Sequence, residues 1–142
     1  MRNLQKPNPK KSIEPGDIIE LGDHRLACGN AKDPEILKKI MREDKARIVL
    51  TDPPYGVAYV ENKDWMGMRG TESNHFKEHD KIKGDQLQTD EQYATFSKEW
   101  IEKTIPYLQE KNSFYIFNSD WMICALREGM KKAGIYYSQI II

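Results

Sequence analysis

The run Arg47-Ile48-Val49-Leu50-Thr51-Asp52-Pro53-Pro54-Tyr55-Gly56 constrains this chain more than any other stretch. Ile48, Val49 and Leu50 form a short, continuous apolar run, the pattern of a strand buried on both faces of a parallel sheet. Pro53 and Pro54 end that strand, because neither can donate to a ladder and each fixes its own φ. Asp52 is thereby expected at the carboxyl end of a buried strand, the edge at which open α/β sheets bind ligands.

The residues Asp52 to Tyr55 carry chemistry beyond stopping a strand. Pro54 pushes Pro53 toward an extended conformation and offers no N–H to its carbonyl, so a carboxylate and a carbonyl are expected side by side. Two acceptors in that arrangement suit a group with two N–H donors, such as the exocyclic amine of a nucleobase. Tyr55 adds a flat ring on which a base can stack. The competing account is a strand end and a polyproline turn with Asp52 in solvent. A string of this kind arises by chance in roughly one of two thousand chains of this length, and an apolar strand directly before it makes chance rarer still.

Asp52-Pro53-Pro54-Tyr55 after an apolar strand resembles the catalytic motif of the amino-group DNA methyltransferases. These S-adenosylmethionine enzymes methylate the exocyclic nitrogen of adenine or cytosine. The Asp-first form is commoner among the adenine enzymes, so the resemblance implies adenine. The flanking segments resemble the subgroup whose catalytic motif precedes its glycine-rich cofactor motif. The resemblance implies a partial doubly wound, Rossmann-like α/β fold with a mostly parallel sheet, double-stranded DNA as partner with its target base flipped out, and catalysis by Asp52, Pro53, Pro54 and Tyr55. Asp52 also belongs to the implied cofactor site. On that reading Asp52→Ala abolishes methylation, whereas Tyr55→Phe is largely tolerated because stacking survives loss of the hydroxyl.

The bounds of the chain are compatible with this. At 142 residues it is long enough for one domain with a core and too short for two. Its 22 basic and 22 acidic residues cancel, so DNA affinity has to come from local patches or from other parts of the polypeptide. Cys28 and Cys124 fit no metal or disulfide framework and suggest a reducing compartment. No apolar run approaches the ~20 residues of a membrane span, so no membrane association and a cytoplasmic location are expected.

Residues 1 to 14 carry Arg2, Lys6, Lys10 and Lys11 against Glu14, with two prolines, and read as a flexible basic arm. Residues 15 to 142 read as the amino-terminal part of the catalytic domain. Asp17 to Leu21 and His24 to Cys28 flank Gly22-Asp23 as a hairpin. Gly29-Asn30-Ala31 comes next; in the family the corresponding polar residue binds the cofactor's adenine and is usually Asp. An amide suits an adenine edge, and a loop asparagine in a turn is the alternative. Asp33-Pro34 opens an amphipathic helix to about Arg42, expected to link the Cys28 strand to the Ile48 strand as parallel neighbours.

Gly56 to about Gln88 is a long polar loop without period, implied by the family to form part of the lip around the flipped base, with Trp65 or Phe76 as a wedge. His75 and His79 have helical spacing but lack further ligands, so no metal site is expected. Thr89-Asp90-Glu91-Gln92 is a capping box before a helix through Tyr93, Phe96, Trp100, Ile101 and Leu108, kinked or ended near Ile105 by Pro106. The aromatic stripe keeps helical spacing and reads as core. Ser113 to Phe117 is a second buried strand; Asn118 beyond it is a candidate substrate contact, and Ser119 or Asp120 a cap. Met122 to Ala133 is a helix closed by Gly134, and Tyr136 to Ile142 a further strand.

No two of the nine glycines are separated by a single residue, so the family's G-x-G loop is lacking, and the sequence stops inside an expected strand. Both features imply the amino-terminal piece of a larger enzyme, inactive alone and completed by the remainder of its own polypeptide. Two alternatives stand beside adenine methylation. The same acceptor pair fits a cytosine amine, an RNA base or a protein amide, and the fold also suits a non-catalytic remnant or binding module.

Overall fold

The computed structural model of the protein describes residues 12–58 and 84–140, which form a mixed α/β structure in two compact units, one ending at Asp44 and the other beginning at Lys45. In the first unit, β1 (Ile18–Leu21) and β2 (His24–Ala27) pair as an antiparallel hairpin, Leu21 opposite His24, with Gly22 taking the positive φ of 63° that the turn requires. The ladder is prolonged by Cys28 N donating to Asp17 O at 3.0 Å. Helix α1 (Pro34–Met41) starts where its sequence signals place it: the Asp33 carboxylate accepts from Glu35 N at 2.9 Å, and Pro34 occupies the first turn, where a missing N–H costs nothing. Arg25 of β2 donates to the Ile40 carbonyl and to Asp44, tying the hairpin to the end of α1.

The second unit contains β3 (Ala46–Thr51), α2 (Asp90–Thr104), a 3-10 turn (Ile105–Tyr107), β4 (Leu108–Ile116) and α3 (Ile123–Lys132). β3 and β4 are parallel neighbours, with Val49 opposite Phe114 and Thr51 opposite Ile116. The capping box forms as its residues dictate: Thr89 Oγ1 accepts from Gln92 N, and Gln92 Oε1 accepts from Thr89 N. Pro106 ends the helix through the 3-10 turn. α3 closes in a Schellman motif, Ile135 N donating to Met130 O and Gly134 N to Lys131 O, with Gly134 at φ 78°.

The core lies between the inner face of β3–β4 and the helices. Tyr93 and Ile101 are fully buried, and Trp100, Leu126, Ala125 and Met130 nearly so, with Val49, Phe114 and Ile116 packed against them from the strands. The aromatic stripe of α2 is therefore core packing, as its period indicates. At Gly129 a Cβ would lie 2.6 Å from the Ala94 carbonyl and 2.7 Å from Ser97 Cβ, so the closeness of α2 and α3 depends on that glycine.

Four expectations are corrected. β3 and the second half of β4 are covered on one face only: Ile48 is 59% and Leu50 70% exposed while Val49 is half-buried, because α2 and α3 both pack on the side that Val49, Phe114 and Ile116 occupy. Among the described residues β2 pairs with β1 and β3 with β4, so the Cys28 strand is no ladder neighbour of the Ile48 strand; the tight hairpin turn gives β2 its partner locally. Leu108 opens β4 instead of extending α2, since Pro106 has already ended the helix. Residues 136–140 form no strand. They make no ladder, and the segment is held instead by Tyr137, which packs on the core with Arg127 4.3 Å above its ring. No helix among the described residues is long and apolar enough to cross a membrane.

Candidate functional site at the carboxyl end of β3

Phe117 N donates to Thr51 O at 2.9 Å, so the β3–β4 ladder runs to the last residue before Asp52. There the prolines stop it. Because the strands are parallel, their carboxyl ends coincide, and Asp52 emerges beside the segment after Ile116. Asp52 is exposed, and among the described residues no backbone N–H reaches the Pro53 carbonyl. The two acceptors anticipated from the sequence are thus both present at the strand end.

Tyr55 is half-buried, its ring resting against the core cluster, and its hydroxyl donates to Asp52 Oδ1 at 2.6 Å. The hydroxyl thus has a partner that sequence reasoning missed. That hydrogen bond to a carboxylate is the main reason the Tyr55 phenol is pushed up to about 12; partial burial and the negative charges of Asp52 and Asp85 add to it. The phenol therefore remains a donor throughout the neutral range.

Gly56 turns the chain with φ 70°, a conformation that side chains resist, and a Cβ there would lie 3.0 Å from Tyr93 Cδ2 and 3.2 Å from Gln88 Cβ. Asp85, only 5% exposed, closes the turn from the other end of the long loop: its Oδ1 accepts from Gly56 N at 2.7 Å and from Val57 N at 3.1 Å. Gln88 N donates to Gly56 O at 2.9 Å. Asp85 was not singled out from the sequence, where Gly84-Asp85 reads as one more turn in a polar stretch. The two N–H groups it accepts from lie almost thirty residues earlier, a distance no local pattern spans. Residues 59–83, with Trp65, Phe76, His75 and His79, lie outside the described residues, so the described part of the expected lip is this clasp between 56–58 and 84–88.

Asn118 stands at the carboxyl end of β4 with its amide committed internally. Oδ1 accepts from Tyr93 Oη at 3.2 Å and from Ser119 N at 2.9 Å, and Nδ2 donates to Met122 O at 3.4 Å. The buried Tyr93 phenol is pushed well above its ordinary range, chiefly by burial and then by the charges of Tyr55 and Asp85, so it too stays a donor. Ser119 Oγ accepts from Met122 N at 3.4 Å and caps the turn before α3, whereas Met122, the cap residue of the helix itself, contributes no side-chain bond.

The residues Gly29, Asn30 and Ala31 belong to the first unit. Asn30 Oδ1 accepts from Lys32 N at 2.9 Å and its carbonyl from Asp33 N, an Asx turn leading into α1 that leaves Nδ2 as a donor. A Cβ at Gly29 would lie 3.1 Å from Cδ1 and Cγ1 of Ile36, a tight contact that the Ile36 side chain would have to yield to. Comparison with protein-family models, with curated proteins and with solved structures finds no match for the chain.

Proposed function

We propose that this chain carries the acceptor half of an S-adenosylmethionine-dependent methyltransferase site for the exocyclic amine of adenine in DNA, within a partial doubly wound fold completed by the rest of its polypeptide. One observation carries the reading: Asp52 and the Pro53 carbonyl stand together at the carboxyl end of β3, with a hydroxyl already hydrogen-bonded to Asp52 Oδ1 at 2.6 Å. That distance marks the carboxylate oxygen as an acceptor for a polar hydrogen arriving from the side of the Tyr55 ring.

The lone pair of an adenine amine is delocalised into the ring, and the nitrogen is a poor nucleophile until it is held out of plane. Hydrogen bonds from its two hydrogens to Asp52 and the Pro53 carbonyl hold it so, and the carboxylate stabilises the positive charge that develops on nitrogen. Positioning accounts for most of the remaining acceleration; the methyl–sulfur bond breaks as the methyl–nitrogen bond forms, and the acidic proton of the resulting ammonium passes through Asp52 to solvent, so no strong general base is needed. Tyr55 stacks on a base that has left the duplex, replacing its lost neighbours. When bound, S-adenosylmethionine supplies the electrophilic methyl group. Within the first unit, the Asn30 Nδ2 donor, with Gly29 and Ala31 beside it, is of the kind that suits a ring nitrogen of an adenine.

The test is nucleoside analysis of DNA and RNA incubated with the native gene product and isotope-labelled S-adenosylmethionine. Label in N6-methyladenine of DNA is expected. Label in N4-methylcytosine or in RNA would replace the substrate, and nucleic acid without label would overturn the reading.

A further inference from the structure

The clasp across the long loop has a consequence for Asp52. A single oxygen of a nearly buried carboxylate takes two consecutive main-chain N–H groups, those of Gly56 and Val57, directly after Tyr55. Charge-assisted bonds of this kind are about twice as strong as neutral ones. The same short segment is anchored once more, by Gln88 N donating to Gly56 O at 2.9 Å. Asp85 and Gln88 therefore hold the residues directly beyond the tyrosine. Directly before that hold lie Pro54 and Tyr55, whose backbone sets where the Pro53 carbonyl points and where the Tyr55 hydroxyl meets Asp52.

We propose that Asp85 is a positioning residue for the acceptor site: through Gly56 N and Val57 N it holds the Pro53–Tyr55 backbone in the one arrangement that aims both acceptors at an incoming amine. The inference rests on the methyl-transfer reading above for its effect on rate, but its geometric content does not. Asp85 touches no reacting atom. Its acceptor oxygen sets the position and its charge strengthens the two bonds, so an amide in the same place keeps the arrangement with weaker bonds.

The experiment compares Asp85→Asn, Asp85→Ala and Asp85→Glu in the native gene product by two readouts: methyl-transfer kinetics, and ultraviolet titration of the Tyr55 phenol assigned by difference against Tyr55→Phe. Asp85→Ala, and Asp85→Glu with its oxygens displaced by one methylene, are expected to lower kcat on the order of a hundredfold, the size of effect that an ångström-scale misplacement produces. KM for DNA should move less than about threefold, because the lost alignment matters in the transition state. Asp85→Asn should restore kcat to within about fivefold of the unmodified protein, since its Oδ1 still accepts both N–H groups. In the titration, Glu, which keeps the charge, and Ala should bring Tyr55 down from about 12 toward the ordinary phenol value as its bond to Asp52 loosens, while Asn, which removes only the minor contribution of the Asp85 charge, keeps most of the shift. Should Asp85→Ala fail to fold, Glu and Asn carry the same comparison. Full kcat and an unmoved Tyr55 in the Glu variant, or loss of both in the Asn variant, would overturn the proposal. If the unmodified protein transfers no methyl group, the functional reading fails by itself, and the titration still decides whether Asp85 sets the Tyr55–Asp52 geometry.

Discussion

At the scale of single residues, Tyr55 shows most clearly what a sequence conceals. Its place after two prolines makes its ring a candidate stacking surface, but the hydroxyl bond to Asp52 depends on how the chain folds back within Asp52–Tyr55. The expectation for Tyr55→Phe changes accordingly. Losing one exposed hydrogen bond to a carboxylate weakens the orientation of Asp52 by about 1 kcal/mol, so methyl transfer should fall about three- to tenfold, with stacking retained. Steady-state kinetics of the variant check this, and an unchanged rate would show that the hydroxyl leaves Asp52 unaffected. The same bond has a pH signature. The folded-state value of Tyr55 is raised to about 12, so from about pH 10 upward the folded chain retains a proton that the unfolded chain gives up. Its contribution to stability is complete below about pH 10 and disappears as pH climbs to about 12. Phenolate absorbance should show Tyr55 titrating late together with the buried Tyr93, and Asp52→Asn should return chiefly Tyr55 toward the ordinary value. Asp85 escaped the sequence entirely, because the main-chain groups it holds carry no residue identity that a sequence pattern could register.

Among the elements, those with local chemical signals were readable and those defined by their neighbours were not. Asp33-Pro34, the Thr89/Gln92 box, Pro106 and Gly134 each act on the backbone within a few residues, and α1 begins, α2 begins and ends, and α3 ends accordingly. The burial of β3 depends on what packs over it, and a continuous apolar run looks the same whether one face is covered or two. Leu50 decides the matter experimentally. At 70% exposure, Leu50→Thr should change stability by no more than about 0.5 kcal/mol in urea unfolding. A strand covered on both faces would lose several times that. Gly129 is the opposite case, a helix glycine that looks dispensable by propensity but permits the contact between α2 and α3. A methyl group there meets backbone at 2.6 Å, so Gly129→Ala should destabilise by about 2 kcal/mol despite its better helix propensity, measurable as a lower midpoint in thermal or urea unfolding.

For the whole molecule, the sequence conveyed the class and the order of elements but not the pairing of the sheets. Strand, helix, strand suggested parallel neighbours across α1, whereas β2 is satisfied by β1 and the parallel pair is β3 with β4, joined through the long loop and α2. The site survives this difference because it needs only three things from the fold: a strand that the prolines end at Asp52, a parallel neighbour whose carboxyl end lies alongside, and a clasp that fixes the residues after Tyr55. All three lie within the unit that begins at Lys45. The direct test of the acceptor role of Asp52 is the rate of methyl transfer to DNA by the native gene product, unmodified and as Asp52→Ala, with the fold of the variant verified by circular dichroism. Loss of about a thousandfold or more in the folded variant is predicted, because the carboxylate both holds the amine and stabilises the charge that develops on it. A folded Asp52→Ala protein that methylates DNA at the unmodified rate would contradict that role outright.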